Sequence, residues 1–123
     1  MWLSRYMNFL DKVGMKAALG RLQKSGIAPS TAKAMDYETA AIPGSTTGAG
    51  LLLITDEAFY FGLHNSFTGH NRVEFRDIGE TKVDRSGKSA TYSVFLSDGQ
   101  LIMRLFVSTA RPSFIEKFQK LGK

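Results

Sequence analysis

The hydrophobic residues of this chain follow two different periods. From residue 2 to about residue 24 they recur at helical spacing, and five of them centre on one side of a helix: Leu3, Tyr6, Leu10, Val13 and Ala17. From residue 33 onward apolar and polar residues alternate, which is typical of half-buried strands. The change predicts an N-terminal amphipathic helix and linker over residues 1–28, followed by a mainly β domain over residues 33–123.

The β domain contains seven runs that are long enough to be strands. Turn residues separate the runs, and the predicted ranges are 33–42, 51–55, 58–63, 72–78, 81–85, 90–96 and 100–107. A C-terminal helix should follow, because Pro112 suits a first helical position and Ser113 with Glu116 matches the capping-box pattern. Gly122 is placed to end this helix. Its apolar stripe consists of Phe114, Ile115, Phe118 and Leu121.

Two hairpins are marked by their turns. Asp56-Glu57 separates an apolar run from an aromatic run, and both faces of these runs are apolar, which indicates a hairpin covered on both sides. Asp98-Gly99 is a strong hairpin signal, because a type I′ turn needs positive φ at both central residues. A two-residue loop there predicts three pairs on the core face: Leu96 with Leu101, Val94 with Met103, and Tyr92 with Leu105.

The segment Leu51-Leu-Leu-Ile-Thr-Asp-Glu-Ala-Phe-Tyr-Phe61 resembles the second and third strands of bacterial PH-like and GRAM-like domains, members of the pleckstrin-homology-like superfold. A glycine-containing loop at Thr68-Gly69 and a strand that ends in a polar-isoleucine step at Asp77-Ile78 continue the resemblance. It covers roughly residues 33–121 and departs from the pattern at Glu57, where a basic residue is common. It implies a PH-like barrel of about seven antiparallel strands, of the α+β class and mainly β, capped by the C-terminal helix.

The resemblance also implies a class of function. Such domains serve mainly for binding, and relatives are known to self-assemble, so we expect a non-enzymatic binding or assembly module. Its partner would be another protein or a second copy of the chain. Phosphoinositide recognition by PH domains uses basic residues between the first two strands, and the matching stretch, Ile42–Gly50, contains none. We therefore do not expect an inositol phosphate in that position.

The positive charge of the chain belongs to its N-terminal part. The whole sequence has 16 lysines and arginines against 11 acids, a net charge of +5. Residues 1–33 hold six bases and one acid, which is +5, so residues 34–123 hold ten of each and sum to zero. The N-terminal helix is therefore the candidate for any electrostatic interaction.

The sequence contains no pattern typical of catalysis or of cofactor binding. It has no cysteine, which excludes disulfides, thiolate zinc sites and cysteine nucleophiles. His64 and His70 are six residues apart in a predicted loop, a spacing without motif strength, so we expect no metal. Neither a nucleophile elbow nor a phosphate-binding glycine loop followed by lysine occurs. We expect no enzyme activity, no cofactor and no small-molecule substrate.

The N-terminal helix carries the candidate binding residues Trp2, Arg5, Tyr6, Lys12 and Lys16. Three interpretations of this helix stay open. It can pack on its own domain, bind a partner or a second copy, or lie on an anionic membrane with its basic side facing the lipid. We expect no nucleic acid as partner, because the bases are few. Since no apolar segment reaches 18 residues, we expect a cytoplasmic protein, peripheral to the inner face of the membrane under the third interpretation.

Overall fold

The computed structural model describes residues 9–41, 49–63 and 72–122. These ranges form two helices and seven strands, with a short 3-10 helix, Phe75–Asp77, between two of the strands. The helices are α1 (Phe9–Lys24) and α2 (Pro112–Gln119). The strands are β1 (Ala34–Ala41), β2 (Ala49–Thr55), β3 (Ala58–Leu63), β4 (Arg72–Glu74), β5 (Ile78–Ser86), β6 (Ser89–Leu96) and β7 (Leu101–Val107).

The strands are antiparallel and follow the order β4-β3-β2-β1-β7-β6-β5. A single bridge between Ala41 and Phe106 joins a four-stranded sheet, β4-β3-β2-β1, to a three-stranded sheet, β7-β6-β5. The predicted α+β class with mostly strands is confirmed. Within the described ranges β4 and β5 are the two edges, so the sheet is not closed into a barrel there.

The predicted hairpin of β2 and β3 is confirmed. Leu52 pairs with Phe61 on one face, and Leu53 pairs with Tyr60 on the other. The Thr55 hydroxyl closes the turn, because it accepts hydrogen bonds from the backbone N–H groups two and three residues further on, at 3.2 and 3.0 Å. Both faces are buried, as the absence of alternation in the sequence predicts.

The last hairpin differs from its prediction at the turn. Of its two central residues only Gly99 has positive φ, +91°, and its N–H donates to the Leu96 carbonyl at 2.9 Å. The result is a three-residue loop instead of the predicted two-residue type I′ turn. Leu101 therefore lies opposite Phe95, and the predicted pairing with Leu96 is wrong. A bulge at Ile102 then takes up one residue, which restores the two other predicted pairs: Val94 with Met103 and Tyr92 with Leu105.

The predicted strand over residues 72–78 is divided in the structure. Only β4 forms a strand at its start, and β5 begins at Ile78, three residues before the prediction. Gly79 makes this early start feasible, since it is the extra residue of a bulge and its backbone lies against Leu96. A Cβ at this position would come within 2.5 Å of the Leu96 carbonyl oxygen.

The main core lies between the inner faces of the two sheets and α2. Phe114 and Phe118 of α2 are fully buried, and both rings meet Tyr92 edge-on at centroid distances of 5.2 and 4.9 Å. Pro112 begins the helix as predicted, but the capping box is wrong, because Arg111 is the N-cap and Ser113 lies inside the helix. The Ser113 hydroxyl instead donates to a buried carboxylate on β1.

Gly122 also differs from its prediction, because α2 ends at Gln119 with Lys120 as its cap. The glycine lies close to β5 instead. A Cβ at Gly122 would come within 2.9 Å of the Thr81 hydroxyl oxygen and 3.0 Å of the Thr81 nitrogen. The small residue therefore permits a close approach of the chain end to β5.

A second core lies on the outer face of the four-stranded sheet, under α1. The buried helix residues are Met15, Ala18, Leu19 and Leu22. They follow the i, i+3, i+4, i+7 spacing of one helix side and pack on Leu53, Ala58 and Tyr60. Val13 is 50% exposed and Ala17 is also exposed, so the side predicted to be apolar faces solvent in the described part of the helix.

The difference has a physical reason. The predicted side was centred by Leu3, Tyr6 and Leu10, which lie before the described helix or have no described side chain. The packing is set instead by the second half of α1, in which Leu22 is buried and lies in the last turn of the helix. Gly26 at φ +82° ends it, and the next two N–H groups donate back to the Leu22 carbonyl at 2.9 and 3.1 Å.

Candidate functional site

The sequence-based site residues fall into two groups. Trp2, Arg5 and Tyr6 lie outside the described residues. Lys12 and Lys16 lie in α1, four residues apart on one side of the helix, and both side chains are exposed. Two of the five predicted binding residues are therefore neighbours on an exposed surface.

The exposed side of α1 is basic. Its exposed bases are Lys12, Lys16, Arg21 and Lys24, which we call the basic face of α1. Asp11 is the one acidic residue in the sequence of this helix. Half-exposed Val13 is next to the first lysine. The basic face can attract an acidic surface, and the attraction should weaken with salt because the charges are in water.

A close contact with β1 holds α1 in place. Gly14 lies directly against the hydroxyl of Tyr37, and a Cβ added at Gly14 would overlap that oxygen. Together with buried Met15 and Leu22, this contact fixes the helix on the outer face of the sheet. Of the three interpretations of the helix, packing on its own domain is the one that the structure shows for residues 9–24.

Beneath the same strand lies a group of buried charges that the sequence analysis missed. Asp36 and Glu38 alternate along β1 and both point to the inner face, where their cross-strand neighbours on β2 are Ile54 and Leu52. Their exposed fractions are 1% and 4%. Carboxylates in such a position need charged partners and hydrogen bonds, because burial without them is very costly.

Arg111, the residue before α2, supplies most of these partners. Its Nε and its backbone N–H donate to Glu38 at 3.0 and 3.2 Å, and its Nη2 donates to Asp36 at 2.6 Å. The same Nη2 also contacts the carbonyl oxygen of Tyr37. One guanidinium therefore joins two carboxylates of β1 to the start of α2.

Two residues of α2 complete the group. Lys117 Nζ and the Ser113 hydroxyl donate to the second oxygen of Asp36 at 3.1 and 3.2 Å. We call Asp36, Glu38, Arg111 and Lys117 the ionic junction; its formal charges are two negative and two positive. When both carboxylates are ionised, the junction therefore connects β1 to α2 without a net charge.

Burial shifts the protonation of groups in and near the junction. Desolvation raises the pKa of Glu38 to about 7, and Arg111 limits this rise through its charge and hydrogen bonds. Burial also raises the pKa of Tyr92, with Glu38 adding to the shift. The Tyr92 hydroxyl is buried and has no hydrogen-bond partner among the described residues.

A polar cleft opens between α1, β1 and the start of α2. Its volume is about 230 Å³, below the range of roughly 300–1,000 Å³ that is usual for small-molecule sites. The lining residues are Asp11, Tyr37, Glu38, Thr39, Thr109 and Arg111. The Arg111 side chain is engaged by Asp36, Glu38 and Ser113, so the geometry suits a structural link better than ligand recognition.

A second polar cluster lies at the hairpin of β2 and β3. The Tyr60 hydroxyl donates to Glu57 and accepts a hydrogen bond from Arg72 Nε at 3.2 Å. Arg72 also forms ion pairs with Glu57 and with Glu74, the latter at 3.2 Å. Burial, followed by the bond to Glu57, raises the pKa of Tyr60 to about 12. Glu57 thus helps to attach the three-residue β4 to the sheet.

The other candidate chemistry is not placed by the structure. His64, His70 and residues 42–48 lie outside the described residues. In the described ranges no three His, Cys, Asp or Glu residues are grouped as a metal site would need. No helix in these ranges is long and apolar enough to cross a membrane.

One signal in the sequence points to the ionic junction. The sequence of β1, Ala-Met-Asp-Tyr-Glu-Thr-Ala-Ala, places Asp36 and Glu38 two residues apart, hence on one face of the strand. The next strand, β2, is apolar on both faces. Acidic residues of β1 that lie opposite it are therefore surrounded by apolar side chains and need basic partners. The identity of those partners, more than 70 residues away, is set by the fold.

No protein-family model and no curated protein matches this chain.

Proposed function

We propose that this protein is a non-enzymatic binding module of the pleckstrin-homology-like superfold, and that it docks an acidic protein surface on the basic face of α1. The order of elements supports the superfold part of the proposal. Four antiparallel strands, three further antiparallel strands and a C-terminal helix packed on their inner faces follow one another as the resemblance implies.

The observation that carries the docking proposal is the orientation of α1. Met15, Leu19 and Leu22 are used against its own sheet, so the outward side of residues 11–24 presents charge, with Val13 as its one exposed large apolar side chain. The bases here belong to the segment that accounts for the net charge of the whole chain. Such a surface favours fast, salt-sensitive association with a partner of opposite charge.

The same orientation weighs against two other uses of the helix. Interfacial membrane helices insert a continuous apolar side, whereas Met15, Leu19 and Leu22 of α1 are buried in the protein and Val13 is the one exposed large apolar side chain among residues 11–24. Two copies of the basic face would repel each other, so self-association through this surface is disfavoured. A hetero partner with an acidic patch remains the best fit.

The proposal is tested by binding to a fluorescent decapeptide of glutamate and, in parallel, to vesicles of phosphatidylcholine with 30% phosphatidylserine. We expect the peptide to bind at 150 mM salt and the Lys12→Glu/Lys16→Glu variant to bind at least tenfold more weakly. The matched control is Lys88→Glu/Lys120→Glu, which makes the same charge change at two exposed positions outside α1. The control should bind at least three times as tightly as the α1 variant.

An equal loss in both variants would show attraction by net charge alone and would overturn the proposal. Vesicle binding that depends on Lys12 and Lys16 in the absence of peptide binding would replace the protein partner with a membrane.

A further inference from the structure

Within the described ranges β5 is the longest strand, and it lies at an edge of the sheet. Its nine residues, Ile78–Ser86, pair with β6 from end to end. On its other side no strand of the described ranges is paired with it. Except at Thr81, against which Gly122 packs, its outward N–H and C=O groups therefore form an open edge to which another strand can bind.

The outward-facing side chains of β5 alternate in charge. Glu80, Lys82 and Asp84 share the outer face of the sheet and are exposed. The Lys82 ammonium lies 5.4 Å from the centre of the Phe95 ring, and no ion pair engages these three residues within the described ranges. An edge with a single sign of charge would repel a second copy of itself, whereas an alternating edge can be complementary to itself.

Two-fold symmetry limits the registers in which β5 can pair with itself. When the two-fold axis passes beside residue n of both copies, residue n−1 of one copy lies opposite residue n+1 of the other. The two side chains of such a pair are on the same face of the sheet. Centring on Lys82 or on Asp84 sets identical charges opposite each other. Centring on Val83 sets Lys82 opposite Asp84 of the second copy, and does so twice. It also sets the two Val83 side chains together.

Centring on Thr81 would also pair opposite charges, Glu80 with Lys82. That register, however, uses the end of β5 where the bulge at Gly79 interrupts the ladder and where Gly122 is packed against Thr81. The Val83 register reaches Thr81 only at its end, and its centre, residues 82–84, is away from the bulge and from Gly122 and pairs regularly with β6. The geometry therefore favours Val83 as the centre.

We propose that the chain forms a two-fold dimer in which β5 pairs with β5 of a second copy, antiparallel and centred on Val83. The two seven-stranded sheets then continue across the axis. This interface goes beyond the proposed function and uses a different surface, since the basic face of α1 takes no part in it.

The test is a charge swap, read as the mass in sedimentation equilibrium over a wide range of protein concentration. The wild-type mass should rise from 13.6 kDa toward twice that value. Lys82→Glu and Asp84→Lys should each weaken the dimer at least tenfold, because each sets like charges opposite each other at two places. The double variant Lys82→Glu/Asp84→Lys should recover most of the wild-type affinity, because the two signs are exchanged.

Several outcomes would overturn the proposal: a monomer at all concentrations, a dimer unaffected by either single change, or a double variant no better than the singles. Recovery in Glu80→Lys/Lys82→Glu instead would assign the register centred on Thr81. Lys82 and Asp84 are exposed, so circular dichroism and the thermal midpoint, measured at a concentration at which all variants are monomeric, should stay unchanged. The Lys12→Glu/Lys16→Glu variant should dimerise like the wild type, which separates this proposal from docking on α1.

Discussion

The two polar clusters of this protein use the same residue types at very different depths. In the ionic junction Asp36 and Glu38 are almost fully buried, and Arg111 is 16% exposed. In the cluster at the β2–β3 hairpin, Arg72 and its two acidic partners are between 26% and 36% exposed. Both clusters fix an element to the sheet, α2 in one case and β4 in the other.

Depth decides how much each cluster contributes. Exposed ion pairs are screened by water and contribute about 0–1 kcal/mol. Removing one partner of a buried pair leaves an uncompensated charge and costs about 3–5 kcal/mol. The junction should therefore behave as a requirement of the fold, and the hairpin cluster as a local support.

The largest effect should come from Arg111→Met. This change keeps much of the side-chain volume but leaves Asp36 and Glu38 without the guanidinium. We expect a loss of about 3–5 kcal/mol in the free energy of unfolding, measured by urea denaturation. Arg104→Met is the matched control, because Arg104 is exposed on β7 and makes one hydrogen bond, at 3.3 Å, to Ser93. A loss of similar size in the control would contradict the central role of the junction.

A smaller effect should appear in the pH dependence of stability. Burial raises the pKa of Glu38 to about 7 in the folded protein, above its ordinary value of 4.5. Between these values the folded protein holds a proton that the unfolded chain has released, so stability falls as pH rises from about 4.5 to 7. The loss should reach about 3 kcal/mol over this range, on the scale of about 1.4 kcal/mol per pKa unit.

Glu38→Gln provides the comparison, because it cannot titrate at this position. Its free energy of unfolding, measured by urea denaturation at each pH, should change less between pH 5 and 7.5 than that of the wild type. Parallel curves for the two proteins would show that Glu38 is ionised throughout, and would contradict the effect of burial.

The smallest effect should come from Arg72→Met. Its acidic partners, Glu57 and Glu74, can be hydrated when it is removed, so we expect a loss of about 1 kcal/mol, which includes the contact with the Tyr60 ring at 5.9 Å. A double-mutant cycle with Glu57→Gln should give a coupling energy of about 1 kcal/mol or less by the same denaturation method. A loss as large as that of Arg111→Met would remove the distinction between the two clusters.

Local patterns in the sequence predicted the elements well and their contacts less well. Strands β2, β3 and β6 and the start of α2 follow from apolar runs, turn residues and Pro112, all of which act between near neighbours. The predicted turn type before Leu101 was wrong, because the backbone at Asp98 does not take positive φ. A bulge, which no local pattern announces, then restored the register.

The candidate site was predicted in part. Lys12 and Lys16 are exposed on α1 as a binding surface requires, and their basic character was evident from the charge distribution. The side on which α1 packs was not predicted. Met15, Leu22 and Val13 are all apolar, and contact with the sheet determines that Met15 and Leu22 are the buried ones. The ionic junction was missed because Asp36 and Arg111 are 75 residues apart.

The docking of α1 through Met15, Leu19 and Leu22, with its bases left outward, is the feature on which the proposed function rests. Hydrogen exchange of the backbone amides from Met15 to Leu22 tests this directly. We predict protection that approaches that of β2 and that is lost together with the global fold. Exchange of these amides at the rate of an unfolded peptide, while β2 stays protected, would show that α1 is free of the sheet and would contradict the account.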